Sequence, residues 1–115
     1  MKGDKVLSLL GMAQKAGRIS GGSFQVSESV KSGSACLVII ASDISEASEK
    51  KYRDMCSYYE VPLFKYSEMD SLGHAIGKEY RAAVSVNDAG FAKGVIKQLN
   101  AADTGGSQIN GNENQ

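Results

Sequence analysis

The uninterrupted apolar run from Cys36 to Ala41 constrains the fold more than any other feature of the chain. Its centre, Leu37-Val38-Ile39-Ile40, has no polar position and three β-branched residues. A strand with one solvated face alternates polar and apolar side chains, whereas this composition is typical of a strand buried on both faces. The run therefore predicts the central strand of a sheet covered by helices on both sides. It is far shorter than a membrane span, which needs about 20 residues.

Five segments have apolar residues at helical spacing, and these segments cover residues 4–17, 23–32, 45–59, 67–76 and 88–99. Ser45 and Asp88 are predicted N-caps of their helices, and Ser67 begins a capping-box pattern that ends at an acidic residue. Tyr52 and Tyr59 fall on the apolar stripe of the third helix, so both are predicted to be buried.

Short strands are predicted at residues 62–66 and 82–86, on either side of a helical segment. Alternation of strands and helices indicates an α/β fold, a three-layer α-β-α sandwich around a mostly parallel or mixed sheet of about four strands. Residues 1–100 are expected to form this one domain. Residues 101–115 contain almost no large apolar side chains and are predicted to be a flexible polar tail.

The charge, the N-terminus and the two cysteines limit the ligands and the cellular location that the sequence predicts. The chain has 13 basic and 13 acidic residues, but residues 1–100 hold all 13 bases against 11 acids, a net charge of +2 that permits nucleic-acid binding without requiring it. The N-terminus does not resemble a signal peptide, so a cytoplasmic location is expected. Cys36 and Cys56 lack metal-ligand spacing and are expected to be buried free thiols, so we expect no metal site.

No arrangement of residues suggests catalysis. The single histidine, His74, lies four residues after Asp70, which indicates a solvated helix pair more than a catalytic dyad. The glycine-containing segments match neither a dinucleotide fingerprint nor a phosphate-binding loop, so no small-molecule cofactor is expected. The sequence therefore predicts no catalytic residue and no enzymatic activity.

Several segments together resemble one known family. These segments are residues 22–30 and 33–41, the Val61-Pro62 pair, and the pattern LG-x-x-x-G-x-x-x-R-x-A over residues 72–83. They resemble the L7Ae/L30e/S12e/Gadd45 ribosomal-protein family, and residues 10–17 and 88–93 are similar to its bacterial YlxQ-like subgroup. The resemblance implies an L30e-like sandwich with a central four-stranded mixed sheet that binds kink-turn RNA, a sharply bent duplex with sheared G·A pairs. We expect the protein to be a monomer. It also implies a link to the ribosome or translation, with rRNA as a possible target.

The resemblance implies RNA contacts along the second helix, from Gly22, Ser23, Phe24, Gln25, Glu28 and Lys31. Family members that bind RNA have a motif of the form G-[TS]-N-E-x-x-K there. In this chain Phe24, Gln25 and Glu28 replace the asparagine, glutamate and lysine. Gln25 keeps an acceptor oxygen and adds a donor, Phe24 offers stacking, and Glu28 would repel a nearby phosphate.

The second implied contact is the loop after the fourth helix, with Lys78, Glu79, Tyr80 and Arg81. Lys78 and Arg81 are suited to neutralise phosphate, and Tyr80 to stack on an unpaired base. A structural salt bridge is an equally good interpretation of Arg81, because it precedes a strand.

The changes in the second-helix motif leave two functions open. One is an RNA-binding module for bent RNA, whose affinity depends on salt. The other is a non-catalytic protein-interaction scaffold of the same superfamily, which has lost kink-turn binding and contacts its partner through an apolar patch that includes Phe24.

Overall fold

The computed structural model describes residues 4–101 and 107–110. The helices and strands are, in chain order, α1 (Lys5–Lys15), β1 (Ile19–Gly21), α2 (Ser23–Ser32), β2 (Leu37–Ile40), α3 (Glu46–Tyr59), β3 (Leu63–Lys65), α4 (Met69–Ala75), β4 (Ala83–Val86), α5 (Ala89–Ala101) and β5 (Ser107–Asn110). None of the helices in these described ranges is both long and apolar enough to cross a membrane.

The strands form one mixed sheet in the order β1-β4-β2-β3-β5. β2 and β3 are parallel, and the other neighbouring pairs are antiparallel. The first four of these strands are the mixed sheet expected from the sequence, so the predicted fold class is confirmed. The sequence had no pattern for β1, because a three-residue strand is too short to show alternation.

A fifth strand, β5, extends the sheet beyond this expectation. Residues 107–110 pair antiparallel with β3, although the sequence predicted a flexible tail from residue 101 onward. Pairing at the edge of β3 uses main-chain N–H and C=O groups, so it does not depend on the apolar patterning by which a strand is recognised in the sequence. The rest of the predicted tail, residues 102–106 and 111–115, lies outside the described residues.

The two faces of β2 enter two separate apolar clusters. Leu37 and Ile39 pack with buried residues of α1, α4 and α5. Val38 and Ile40 pack with buried residues of α2 and α3 on the opposite face. All four side chains are fully buried, which confirms the prediction of a central strand covered on both sides.

The helix starts agree with the predicted caps in two of three cases. The hydroxyl of Ser45 accepts a hydrogen bond from the N–H of Ser48, and a carboxylate oxygen of Asp88 accepts one from the N–H of Phe91. The capping box at Ser67 is wrong, because α4 begins at Met69. The N–H of Met69 instead donates to Oδ1 of Asp43 at 2.9 Å, so the cap comes from a distant part of the chain.

Two predictions of burial need correction. Tyr52 is buried as expected, but Tyr59, the last residue of α3, is 41% exposed, and its ring packs edge-on against the exposed ring of Tyr58. Cys56 is buried, and its burial raises the pKa of the thiol to about 12. Cys36 is a free thiol that is only half-buried.

Candidate functional site

The turn between β1 and α2 is built on glycine. Gly22 is the N-cap residue of α2 and has φ = 99° and ψ = 159°, a backbone conformation that essentially only glycine adopts. Its N–H donates to the carbonyl of Ala83 at 3.0 Å, which fixes the turn to the start of β4. No side chain caps the helix, so the N–H groups of the first turn of α2 are left for an external acceptor.

The first turn of α2 presents Ser23, Phe24 and Gln25 to solvent, and the Phe24 side chain is 69% exposed. Glu28 is exposed one turn further along the helix. Lys31 is also exposed, but it lies in the last turn, roughly 12 Å along the helix axis from Ser23 at 1.5 Å per residue. The predicted residues of α2 therefore form a compact group around its start, with Lys31 at a distance.

The loop of residues 77–81 is fastened to α4. The N–H of Lys78 donates to the carbonyl of Gly73 at 2.8 Å, and the N–H of Arg81 donates to the carbonyl of Met69 at 3.1 Å. A β-carbon at position 73 would lie 2.7 Å from the carbonyl carbon of Glu79, which is closer than van der Waals contact allows. The loop therefore rests directly on the glycine backbone of α4.

Arg81 joins this loop to the start of α2. A β-carbon at Gly21 would lie 3.5 Å from Nε of Arg81, so the half-buried side chain of Arg81 packs on the glycine turn. The Nη1 group donates to the carbonyl of Tyr80 at 2.6 Å. Among the described residues, Arg81 makes no ion pair with a carboxylate, so the salt-bridge interpretation of this residue is not supported.

The other loop residues face solvent. Lys78, Glu79 and Tyr80 are all exposed, and Tyr80 is 65% accessible. With Asp70 and His74 of α4 they line an open groove of about 430 Å³. The site therefore combines uncapped helical N–H groups, two cationic side chains, one primary amide and two exposed aromatic rings, an arrangement suited to phosphate, base edges and stacked bases.

Gly73 is a site residue that sequence reasoning missed. Gly73 belongs to the LG pattern, but its role depends on contact with the main chain of Glu79, which that pattern does not reveal. In the part of the chain that the structure describes, no three His, Cys, Asp or Glu residues are grouped so that they could hold a metal ion.

Comparison with known proteins identifies the relatives of this chain. The model of the ribosomal protein L7Ae/L30e/S12e/Gadd45 family matches residues 4–96. The RNA-binding protein YlxQ of Bacillus subtilis is 38% identical over 99 residues, which is 86% of this chain and 99% of the relative. The large ribosomal subunit protein eL8 of Picrophilus torridus is 31% identical over 108 residues, which is 90% of this chain and 85% of the relative.

Solved structures agree with these matches. A protein of unknown function from Bacillus halodurans is 37% identical with a TM-score of 0.82, covering 85% of this chain and 99% of the other. The 15.5 kD RNA-binding protein of Giardia lamblia shares the fold, with a TM-score of 0.70 at 20% identity over 88% of this chain and 90% of the other. The chain belongs to the L7Ae/L30e/S12e/Gadd45 family of ribosomal proteins, and its close curated relatives are the bacterial YlxQ proteins.

Proposed function

We propose that this protein is a non-catalytic RNA-binding protein that recognises kink-turn or similarly bent RNA. The observation that carries the proposal is the packing of Arg81 on Gly21, because it joins the first turn of α2 and the 77–81 loop into one surface. The names of the relatives support RNA as the ligand, since they include an RNA-binding protein and a ribosomal protein.

The start of α2 is suited to a phosphate and an adjacent base edge. The uncapped N–H groups and the positive end of the helix dipole attract a phosphate, and the absence of a side chain at Gly22 lets the RNA backbone approach closely. The amide of Gln25 both donates and accepts, so it is suited to the edge of a guanine in a sheared pair. A bent duplex opens such edges, which a regular A-form major groove hides.

The aromatic and cationic side chains supply the remaining contacts. Lys78 and Arg81 would each neutralise a phosphate, which gives affinity that falls with salt. Phe24 and Tyr80 expose their rings to solvent and would stack on unpaired bases. Glu28 would face the RNA and repel its phosphates. This surface would therefore bind RNA more weakly than one with a lysine at that position.

The cellular setting forms the second part of the proposal. We infer a cytoplasmic monomer that acts on a structured RNA of the translation machinery, with rRNA as one candidate, because a ribosomal protein is among the relatives. We also infer that residues 1–100 are the RNA-binding domain and that residues 101–115 are dispensable for it.

The test is a titration with a kink-turn RNA and with a matched RNA whose G·A pairs are replaced by Watson–Crick pairs, each at two salt concentrations. Gln25→Ala and Lys78→Ala are the site variants. Lys97→Ala is the control, because Lys97 is an exposed lysine on α5, away from the site. The proposal expects tight, salt-dependent binding of the kink-turn RNA, weakened by either site variant and unchanged by the control.

Equal binding of both RNAs would reject recognition of the bend. Absence of binding to both would reject the proposed function and favour the protein-interaction scaffold, in which the exposed ring of Phe24 contacts a protein.

A further inference from the structure

A chain of three side-chain hydrogen bonds crosses the interface between the sheet and α2. The hydroxyl of Ser85 donates to Oδ1 of Asn87 at 3.0 Å, and Nδ2 of Asn87 donates to Oγ of Ser20 at 2.9 Å. Oγ of Ser20 and Oγ of Ser29 are then 2.8 Å apart. The chain thus runs from β4 through Asn87 and β1 to the middle of α2.

These polar groups lie beside an apolar cluster. Ser85 is fully buried and Ser29 is 8% exposed, and they are the buried polar residues among those that the structure describes. Ser20 and Ser85 are paired across β1 and β4, so their side chains point to the same face of the sheet, the face that carries α2. Each buried hydroxyl has a hydrogen-bond partner, so this series of bonds avoids the free-energy cost of burying unsatisfied polar groups.

This series of hydrogen bonds restricts the position and orientation of α2 on the sheet, which the apolar contacts of the helix do not. α2 packs on the sheet through Val26 and Val30, and such contacts tolerate sliding and rotation because the hydrophobic effect is non-directional. A hydrogen bond holds its partners to a narrow range of distances and angles. The bond between Ser20 and Ser29 therefore holds the middle of α2 against the sheet, as the bond from the N–H of Gly22 to the carbonyl of Ala83 holds its start.

Asn87 is itself held firmly. Its N–H donates to the carbonyl of Arg18 at 2.8 Å, and both ends of its side-chain amide are engaged, so it forms a rigid support between β4 and β1. Gln25 lies one helical turn before Ser29, so a shift of Ser29 moves Gln25 with it.

We propose that Asn87, Ser20 and Ser29 are positioning residues that hold the first turn of α2 in place on the sheet. They thereby influence the RNA affinity of that turn without contacting the RNA themselves. The inference rests on the proposed function, since the positioned residue is Gln25.

The first experiment uses the free protein and needs no RNA. Asn87→Ala removes the centre of the chain from a residue that is remote from α2 in sequence, and Asn100→Ala is the control at the exposed end of α5. Amide ¹H–¹⁵N spectra should show shifts in the first turn of α2 for Asn87→Ala and none there for Asn100→Ala. Unchanged signals for Phe24, Gln25 and Val26 would overturn the proposal.

The second experiment is a double-mutant cycle with the kink-turn RNA. Asn87→Ala should weaken binding about fivefold, the equivalent of one ordinary hydrogen bond. In the Gln25→Ala background the same change should have little effect, because the positioned contact is already absent. An equal loss in both backgrounds would reject positioning and indicate a general loss of folded protein.

Ser29→Ala provides a second variant if Asn87→Ala fails to fold, since alanine is the better helix former. Ser32→Ala is its matched control on the same helix, where the hydroxyl bonds to Ser29 O and to Ser34 and does not reach the sheet. If wild-type protein binds no bent RNA, the proposed function fails, while the spectra of the free protein still decide whether the chain of hydrogen bonds places α2.

Discussion

Arg81 packs against Gly22 so that a β-carbon at position 22 would lie 3.8 Å from both Cδ and Nε of the arginine. That distance is ordinary van der Waals contact, so space alone does not require glycine there. The backbone does, because φ is 99° at Gly22. The link between the two halves of the site therefore depends on one residue's backbone conformation.

Gly22→Ala should destabilise the fold by about 1–3 kcal/mol, the usual cost of holding a non-glycine residue in this region of φ and ψ. Relief of the strain would move the turn away from Arg81, so RNA affinity should also fall. Urea denaturation measures the first effect and RNA titration the second.

The control is Gly94→Ala in α5, where a β-carbon would meet only Cδ1 of Leu9 at 3.9 Å. It should stabilise the protein by about 0.5–1 kcal/mol, because alanine is the better residue inside a helix. A neutral Gly22→Ala would show that the turn relaxes without cost.

Gly73→Ala tests whether α4 supports the 77–81 loop. The added methyl group would overlap the carbonyl of Glu79, which is main chain and has no rotamer to adopt, so the loop must move. We expect a loss of about 1–3 kcal/mol in the free energy of unfolding, the usual cost of overpacking, and weaker RNA binding. Ser71→Ala on the same helix is the control, and similar effects of both changes would contradict the role of Gly73.

Features that depend on short stretches of sequence, namely the bounds of α2 and the burial of β2, were predicted correctly. The sequence predicts the bounds of α2 at Ser23 and Ser32 as the structure has them, and Gly33, in the left-handed conformation, ends the helix. The burial of β2 on both faces followed from its composition alone.

Contacts between residues that are distant in the chain escaped prediction. The capping box, a local signal, predicts that α4 starts at Ser67, whereas Asp43 provides the cap across 26 positions. The bond of Asn87 to Ser20 across 67 positions is of the same kind. The implied RNA contacts of α2 and the loop remain predictions, although the structure brings most of them onto one surface.

The raised pKa of Tyr66 predicts that the folded protein loses stability at alkaline pH. Burial raises its pKa to about 12, with help from the hydrogen bond of 2.6 Å that its hydroxyl donates to Asp4 and from the charge of that carboxylate. Because the pKa of the folded state lies above the ordinary value of 10.0, the stabilisation is fully present below pH 10. It is lost as the pH rises from there towards about 12.

Denaturation curves from pH 9 to pH 12 measure this effect. Tyr66→Phe should flatten the decline relative to wild type and cost about 1 kcal/mol at neutral pH, where the hydrogen bond is lost. Tyr58→Phe is the control, because the Tyr58 side chain is 80% exposed. Parallel declines in wild type and Tyr66→Phe would show that Tyr66 does not set the limit.

Glu28→Lys tests whether the outer face of α2 lies against RNA. Glu28 is exposed and makes no ion pair among the described residues, so the change breaks no salt bridge. If a phosphate lies nearby, lysine replaces a repulsion with a contact, and the slope of log Kobs against log salt should steepen by about 0.7–0.9. Glu60→Lys makes the same charge change in the segment leading into β3, at the opposite end of the strands from Gly22. A rise in affinity for both variants would indicate non-specific attraction, whereas a rise for Glu28→Lys alone would locate the RNA beside α2.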